Sequence, residues 1–271
     1  MSELESPFKA SRPPLKIVRS VLFALFMREM QTRFGARRMG FVWVVFEPLG
    51  ILAIILIFHA ALRTRPMQGI DFAVFLFSGI VPIHMMRNIA WRVSDAVQAN
   101  QGLFAYRQVM PFDTFVARLI VELCTYSCAY IIICIFLGIW LQRDILISDP
   151  LAWIWYMMIG VLLSFSLGIA FAMIGHAVPN SARLCKMSFI PLYITSGVLF
   201  PIWNLPQDKI AIISLNPYVG IIEGIRSAMF ANYPIPKSLG VGYPIIFSVV
   251  LTFLSMAIYR KRRQALRAPK V

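Results

Sequence analysis

Six largely apolar stretches, at about 41–62, 72–91, 115–141, 151–175, 184–201 and 239–259, leave this chain few ways to fold. A helix crosses the ~30 Å hydrocarbon core of a bilayer with about 20 such residues. Inside lipid every backbone N–H and C=O must be satisfied within the protein, which favours helices. All six tryptophans (Trp43, Trp91, Trp140, Trp153, Trp155 and Trp203) fall within a few residues of a proposed span end, the depth at which aromatic belts sit. Only 14% of the 271 residues are charged and 59% are hydrophobic, against about 25% charged in soluble domains. An all-α integral membrane protein with little soluble mass is expected.

The net charge is +14, and its placement orients the chain. Twenty of the 26 Lys and Arg fall on the side assigned to the cytoplasm and six on the other. That asymmetry is the positive-inside bias, and it accounts for the basicity without nucleic acid. Six spans put both termini on one side, and Arg260-Lys261-Arg262-Arg263 makes that side the cytoplasm. The polar, proline-containing start MSELESPFKASRPP has no apolar core with a cleavage site, so no signal peptide is expected. Cys124, Cys128, Cys134 and Cys185 lie in or beside apolar runs and read as small hydrophobes rather than a disulfide or metal framework.

The approach to the first span is the most crowded stretch. Arg28, Arg33, Arg37 and Arg38 fall within eleven residues, Gly35 and Gly40 serve as hinges, and Glu47-Pro48 enters the apolar run. Upstream, the apolar centre Val21 to Met27 is too short to span and reads as a helix lying at the interface, with Glu29 and Arg33 in the favourable i,i+4 order. The chain thus divides into a cytoplasmic and interfacial segment (1–40), a six-helix membrane domain (41–259) and a basic tail (260–271). Within the membrane domain, 92–114 is the longer cytoplasmic connection. The 201–238 region is apolar but cut by Pro201, Pro206, Pro217, Pro234 and Pro236, and reads as a re-entrant or interfacial helical hairpin on the outer side.

Intramembrane charge is disfavoured unless paired or hydrated. Glu47 and Arg87 therefore read either as a structural ion pair or as the lining of a polar path. Arg118 and Glu122, one turn apart, suggest a local pair, and Glu223 and Arg226 at i,i+3 another. Gly160, Ser164, Gly168 and Ala172 at strict i,i+4 spacing mark a close helix contact, either within one subunit or between two. His59, His84 and His176 are scattered and suggest neither a metal nor acid–base chemistry. The chain has no GxxxxGK[ST] phosphate loop and no Gly-Lys dipeptide at all. Any work it does is driven by a partner or a gradient.

Three segments carry a family resemblance: LFMREMQTRFGARRMGFVWVVFEP (Leu25–Pro48), ANQGLFAYRQVMPFDTFVAR (Ala99–Arg118) and NPYVGIIEGIRSAMF (Asn216–Phe230). In these, and in order and spacing along nearly its whole length, the chain resembles the membrane permeases of ABC-type capsular polysaccharide exporters of Gram-negative bacteria. They form a branch of the type-2 ABC exporters, which also include O-antigen and teichoic acid exporters. It departs from that pattern at Arg107-Gln108-Val109-Met110-Pro111, where a second proline and a lysine are expected.

The resemblance implies a homodimer of six-span permeases in the bacterial inner membrane, bound to two copies of a separate ATPase that carries the ATP and magnesium. It implies a lipid-linked anionic polysaccharide as cargo, and a periplasmic co-polymerase and outer-membrane channel downstream. This chain itself is then not an enzyme and holds no cofactor or metal. By the same resemblance Gln98, Asn100, Gln101, Gly102, Leu103, Phe104, Tyr106 and Arg107 form the coupling helix on the ATPase. The outer hairpin carries Asn216, Pro217, Glu223 and Arg226. Arg28, Arg33, Arg37, Arg38, Trp43, Phe46, Glu47 and Arg87 are the candidates for substrate entrance or path, with Arg37 and Arg38 the foremost for a phosphate or acidic sugar. An integral membrane transferase acting on lipid-linked sugars, or an O-antigen permease, is the alternative.

Overall fold

A computed structural model describes residues 14–35, 40–61, 70–106, 108–178, 181–236, 239–240 and 242–267. Its regular elements among these residues are all helical. Helix α1 (Pro14–Met30) runs into a π-helical turn (Gln31–Gly35), followed by α2 (Gly40–Ala61), α3 (Phe72–Ser94) and the short α4 (Ala96–Ala99). A 3₁₀ turn at Gln101–Ala105 leads to the long α5 (Pro111–Ile139) and α6 (Pro150–Ala177). Then come α7 (Ser181–Met187), α8 (Phe189–Ile194), α9 (Gln207–Ile213), α10 (Pro217–Met229) and α11 (Gly242–Arg262).

Four of these, α3, α5, α6 and α11, are long and apolar enough to cross a membrane. Helix α2 has 22 residues, with a described apolar stretch at Val42–Phe58. The apolar stretch expected to form a fifth span over 184–201 is different: it is α7 and α8, parted at Ser188 and finished by Ile194. Pro191 supplies the reason. It has no N–H for the carbonyl of Met187, and its ring crowds that carbonyl, so the helix opens one residue later. The chain then turns through Gly197, whose φ of +73° is a left-handed conformation that suits glycine. The proline-cut region beyond it folds into the two short helices α9 and α10.

Helix α3 is the axis of the bundle. Every residue from Ala73 to Met86 is buried, with α6, α5, α10 and α2 packed around it. Its start is fixed by Asp71, whose carboxylate accepts from the N–H groups of Ala73 (2.9 Å) and Val74 (3.1 Å). Asp149 caps α6 in the same way, with Pro150 at the first helical position. Helix α11 is joined to α6 by hydroxyls, Ser166 to Thr252 at 2.7 Å and Ser255 to the Ser166 carbonyl at 2.9 Å.

The small-residue stripe on α6 turns inward. A Cβ on Gly160 would meet Met86, and one on Gly168 would lie 2.7 Å from Val93 Cβ and 2.9 Å from the Ala90 carbonyl. Ser164, in the same stripe, bonds Tyr218 of α10 at 2.9 Å. The stripe thus lets α6 approach α3 within one subunit. The Gly168→Ala variant is expected to lose roughly 1–3 kcal/mol through overpacking, because one of the colliding atoms is backbone. Gly50→Ala on α2 has nothing within 4 Å and serves as the silent control. Thermal unfolding of the two purified variants checks the pair.

Candidate functional site

The residues flagged in the sequence gather in three places. The first is a buried ionic lattice where α1 lies along α5. Arg118 Nε donates to Glu29 Oε1 at 2.9 Å and its Nη1 to the Arg92 carbonyl at 2.7 Å. Arg33 pairs with Glu122, with Arg92 Nε 3.7 Å from the same carboxylate oxygen. Neither local pair read from the sequence is the one formed. Arg118 reaches Glu29 instead of Glu122, and Glu122 takes Arg33 instead of Arg118. Docking α1 on α5 offers each charge a partner across the interface, so two i,i+4 pairs are exchanged for two interhelical ones.

Asn100 closes this lattice onto the 92–114 connection. Its Oδ1 accepts from Arg28, and its Nδ2 donates to Glu29 Oε1 at 3.1 Å and to the Ala96 carbonyl at 2.9 Å. The eight coupling candidates therefore divide. Asn100 and Phe104 are buried, Gln101 and Leu103 half-buried, while Gln98, Gly102 and Tyr106 are exposed, Tyr106 at 66%. Arg107 lies outside the described residues. Lys186 of α7 bonds Asp95 at 2.6 Å, tying the other polar connection to the same corner. A final 3₁₀ turn, Ala265–Arg267, packs on the turn Gln101–Ala105 and buries Leu266 completely. That contact was not legible in a tail known only as basic.

The second place is the face of α3 toward α2. Arg87 Nη2 bonds Glu47 Oε1 at 2.5 Å, and its guanidinium lies over the Trp91 ring, 4.9 Å from the centroid. Of the two readings of Glu47 and Arg87, the ion pair is formed, and both side chains keep some exposure. Trp43, one turn before Glu47, and Phe46, directly before it, are exposed at 71% and 62%. With Ile54, Ile57 and Phe58 they form an uncovered apolar face of α2.

The third place is α10. Glu223 and Arg226 pair at 2.9 Å, as their spacing suggests, and both are almost fully buried. Arg226 also donates to the carbonyls of Gly197 and Val198, each at 2.8 Å, and its guanidinium carbon sits 3.6 Å from the Phe75 ring centroid. Tyr233 donates its hydroxyl to the Glu223 carboxylate, and burial pushes that phenol above its usual range. Asn216 caps α10 through the Tyr218 N–H at 3.0 Å, ahead of Pro217, and ties it to α8 through the Leu192 carbonyl at 2.7 Å.

An open groove of about 910 Å³ runs between α1 and α5. Its walls are apolar, with Leu15, Phe23 and Ile120 among them, and Lys16 and Arg19 add positive charge. Neither basic residue is among the substrate-entrance candidates of the sequence, whose charged members before the first span are Arg28, Arg33, Arg37 and Arg38. Arg37 and Arg38 lie outside the described residues. Arg28 and Arg33 hold α1 to Asn100 and Glu122.

A family model described as ABC-2 type transporter matches residues 20–230. The chain belongs to the ABC-2 type transporter family. The match runs from within α1 to the end of α10 and so takes in the ion pairs of all three places. Among relatives, the chain is 32% identical to the polysialic acid transport protein KpsM of Escherichia coli, over 94% of this chain and 98% of that one. It is 28% identical to the capsule polysaccharide export inner-membrane protein CtrC of Neisseria meningitidis, over 90% and 91% of the two chains. With the O-antigen export system permease protein RfbA of Klebsiella pneumoniae the identity is 22%, over 89% and 91%. The packed corner around Asn100 and the exposed face of Tyr106 are two sides of one short segment.

Proposed function

We propose that this chain is the membrane permease of an ATP-driven exporter that moves lipid-linked capsular polysaccharide across a bacterial inner membrane. The observation that carries this reading is end-to-end similarity to polysaccharide export proteins within the ABC-2 family. Capsule is favoured over O-antigen because the capsule relatives stand closer in identity. Two copies form the conduit, since one small bundle built around a packed α3 has no room for a polymer. Two ATP-binding subunits supply ATP and magnesium. A periplasmic co-polymerase and an outer-membrane channel continue the path.

The six-span arrangement takes α2, α3, α5, α6 and α11 as spans and the kinked pair α7–α8 as a short fifth crossing. Both termini are then cytoplasmic, α1 lies at the interface, and α9 and α10 form the outer re-entrant hairpin. The groove between α1 and α5 suits an amphiphile: acyl chains against its apolar walls, a phosphate near Lys16 and Arg19. Arg37 and Arg38 stand next along the chain to receive the phosphate or acidic sugars.

Co-purification with an ATP-binding subunit tests the reading. Single cysteines at Tyr106 and Gln98, which face outward, are expected to crosslink to that subunit. A cysteine at the buried Phe104 is expected not to. Crosslinks from Arg183 alone would move the docking surface to α7.

A further inference from the structure

Buried polar atoms without a hydrogen-bond partner are concentrated on one face of α3. Eight such side-chain atoms occur among the described residues. Five of them belong to His84 (both ring nitrogens), Arg87 (Nε), Trp91 (Nε1) and Tyr193 (hydroxyl). His84, Arg87 and Trp91 follow i, i+3, i+7 and so share a stripe. Tyr193 of α8 faces it, its ring edge-on to His84 with centroids 5.7 Å apart. Glu47 of α2 closes the other side, its Oε1 3.7 Å from His84 Nδ1 and bonded to Arg87. His84 is fully buried, whereas Glu47 and Arg87 retain exposure, so the cluster runs from the interior of the bundle outward. A buried polar atom left unsatisfied carries its full desolvation penalty, and several side by side call for a partner that would meet them.

The inventory of groups selects the ligand. Arg87 is already neutralised by Glu47, so the cluster offers an anion no free charge. What remains are donors at Arg87 Nε and Trp91 Nε1, a donor and an acceptor on His84, and a hydroxyl that does both on Tyr193. The two aromatic rings add flat apolar faces. Hydroxyl groups on a ring with apolar C–H faces match that set. A neutral set of groups also suits passage, because a site that conducts must release what it holds. Resting on the permease reading above, we propose that His84, Arg87, Trp91 and Tyr193, with Glu47 as counter-charge, form a binding station for uncharged sugar hydroxyls of the polymer in transit.

A photo-crosslinking phenylalanine placed at Tyr193 tests this in cells making polymer. Crosslinked polymer is expected there and not from Ile190, which is half exposed on the same helix. In the purified permease–ATPase complex, a dextran oligosaccharide should block the crosslink and inorganic phosphate at equal concentration should not. The Tyr193→Phe variant, which removes one oxygen, should assemble normally and lower surface polymer at least threefold. Normal export by both Tyr193→Phe and His84→Phe, or protection by phosphate in place of dextran, would overturn the station. Retention of polymer in cells lacking the chain, restored by the unaltered chain, keeps the permease reading separate from that outcome.

Discussion

Arg226→Ala permease is expected to be the most damaged single variant, recovered from membranes in small amounts and unfolding well below the parent. Four contacts meet on this one guanidinium: Glu223, the Gly197 and Val198 carbonyls, and the face of Phe75. Removing one partner of a buried ion pair costs about 3–5 kcal/mol, because the other charge stays buried without it. Tyr233 would be left as the donor to the Glu223 carboxylate. Arg226→Lys is expected to rescue little, since an ammonium cannot serve two carbonyls and a carboxylate in one plane while lying flat on a ring. Glu223→Gln combined with Arg226→Met removes both charges and should recover part of the loss. Thermal unfolding of the three purified variants measures the ordering.

The second large effect is expected at Asn100, without any loss of fold or of partner. Its side chain joins the segment 96–105 to Arg28 and Glu29 of α1, while Tyr106 a few residues on points outward. Movement imposed on the outward face is therefore expected to reach α1, and so the groove where a lipid would lie, in large part through this amide. In Asn100→Leu that link is gone. Hydrogen bonds to charged groups contribute about 1.5–3 kcal/mol each, so coupling weakened by even one of them is about a tenfold effect or more. The variant should bind its ATP-hydrolysing partner and still lose at least ~90% of export. Loss of ATPase binding together with export would make Asn100 part of the docking surface instead.

Much of this architecture is legible in the chain because lipid restricts the alternatives. Span length, Asp71 and Asp149 before α3 and α6, and Asn216-Pro217 before α10 all announce helices where helices stand. Glu223 and Arg226 are also readable, being partners on one turn. What the sequence hides is partner choice between elements. Arg118 and Glu122 look like a local pair because nothing in α1 advertises the face that docks on α5; its apolar residues spread around the helix. Asn100 is one polar residue among several in a polar connection, and only packing separates it from Gln98 and Tyr106. His84, solitary in sequence, gains its meaning from Tyr193, more than a hundred residues away. Pro191 does carry a readable signal, since a proline in an apolar run opens the turn before it.

Where the polymer lies in cells lacking this chain decides whether the chain is its permease. Polysaccharide fractionated from a strain with the gene deleted is expected to be made at near-normal length and held inside the cytoplasmic membrane. Surface display should return when the unaltered chain is supplied, and should fail to return when the partner ATPase cannot hydrolyse ATP. Polymer at its normal level on the surface of the deletion strain, or no polymer in any fraction, would contradict the account: the first removes the permease role, and the second makes the chain part of synthesis.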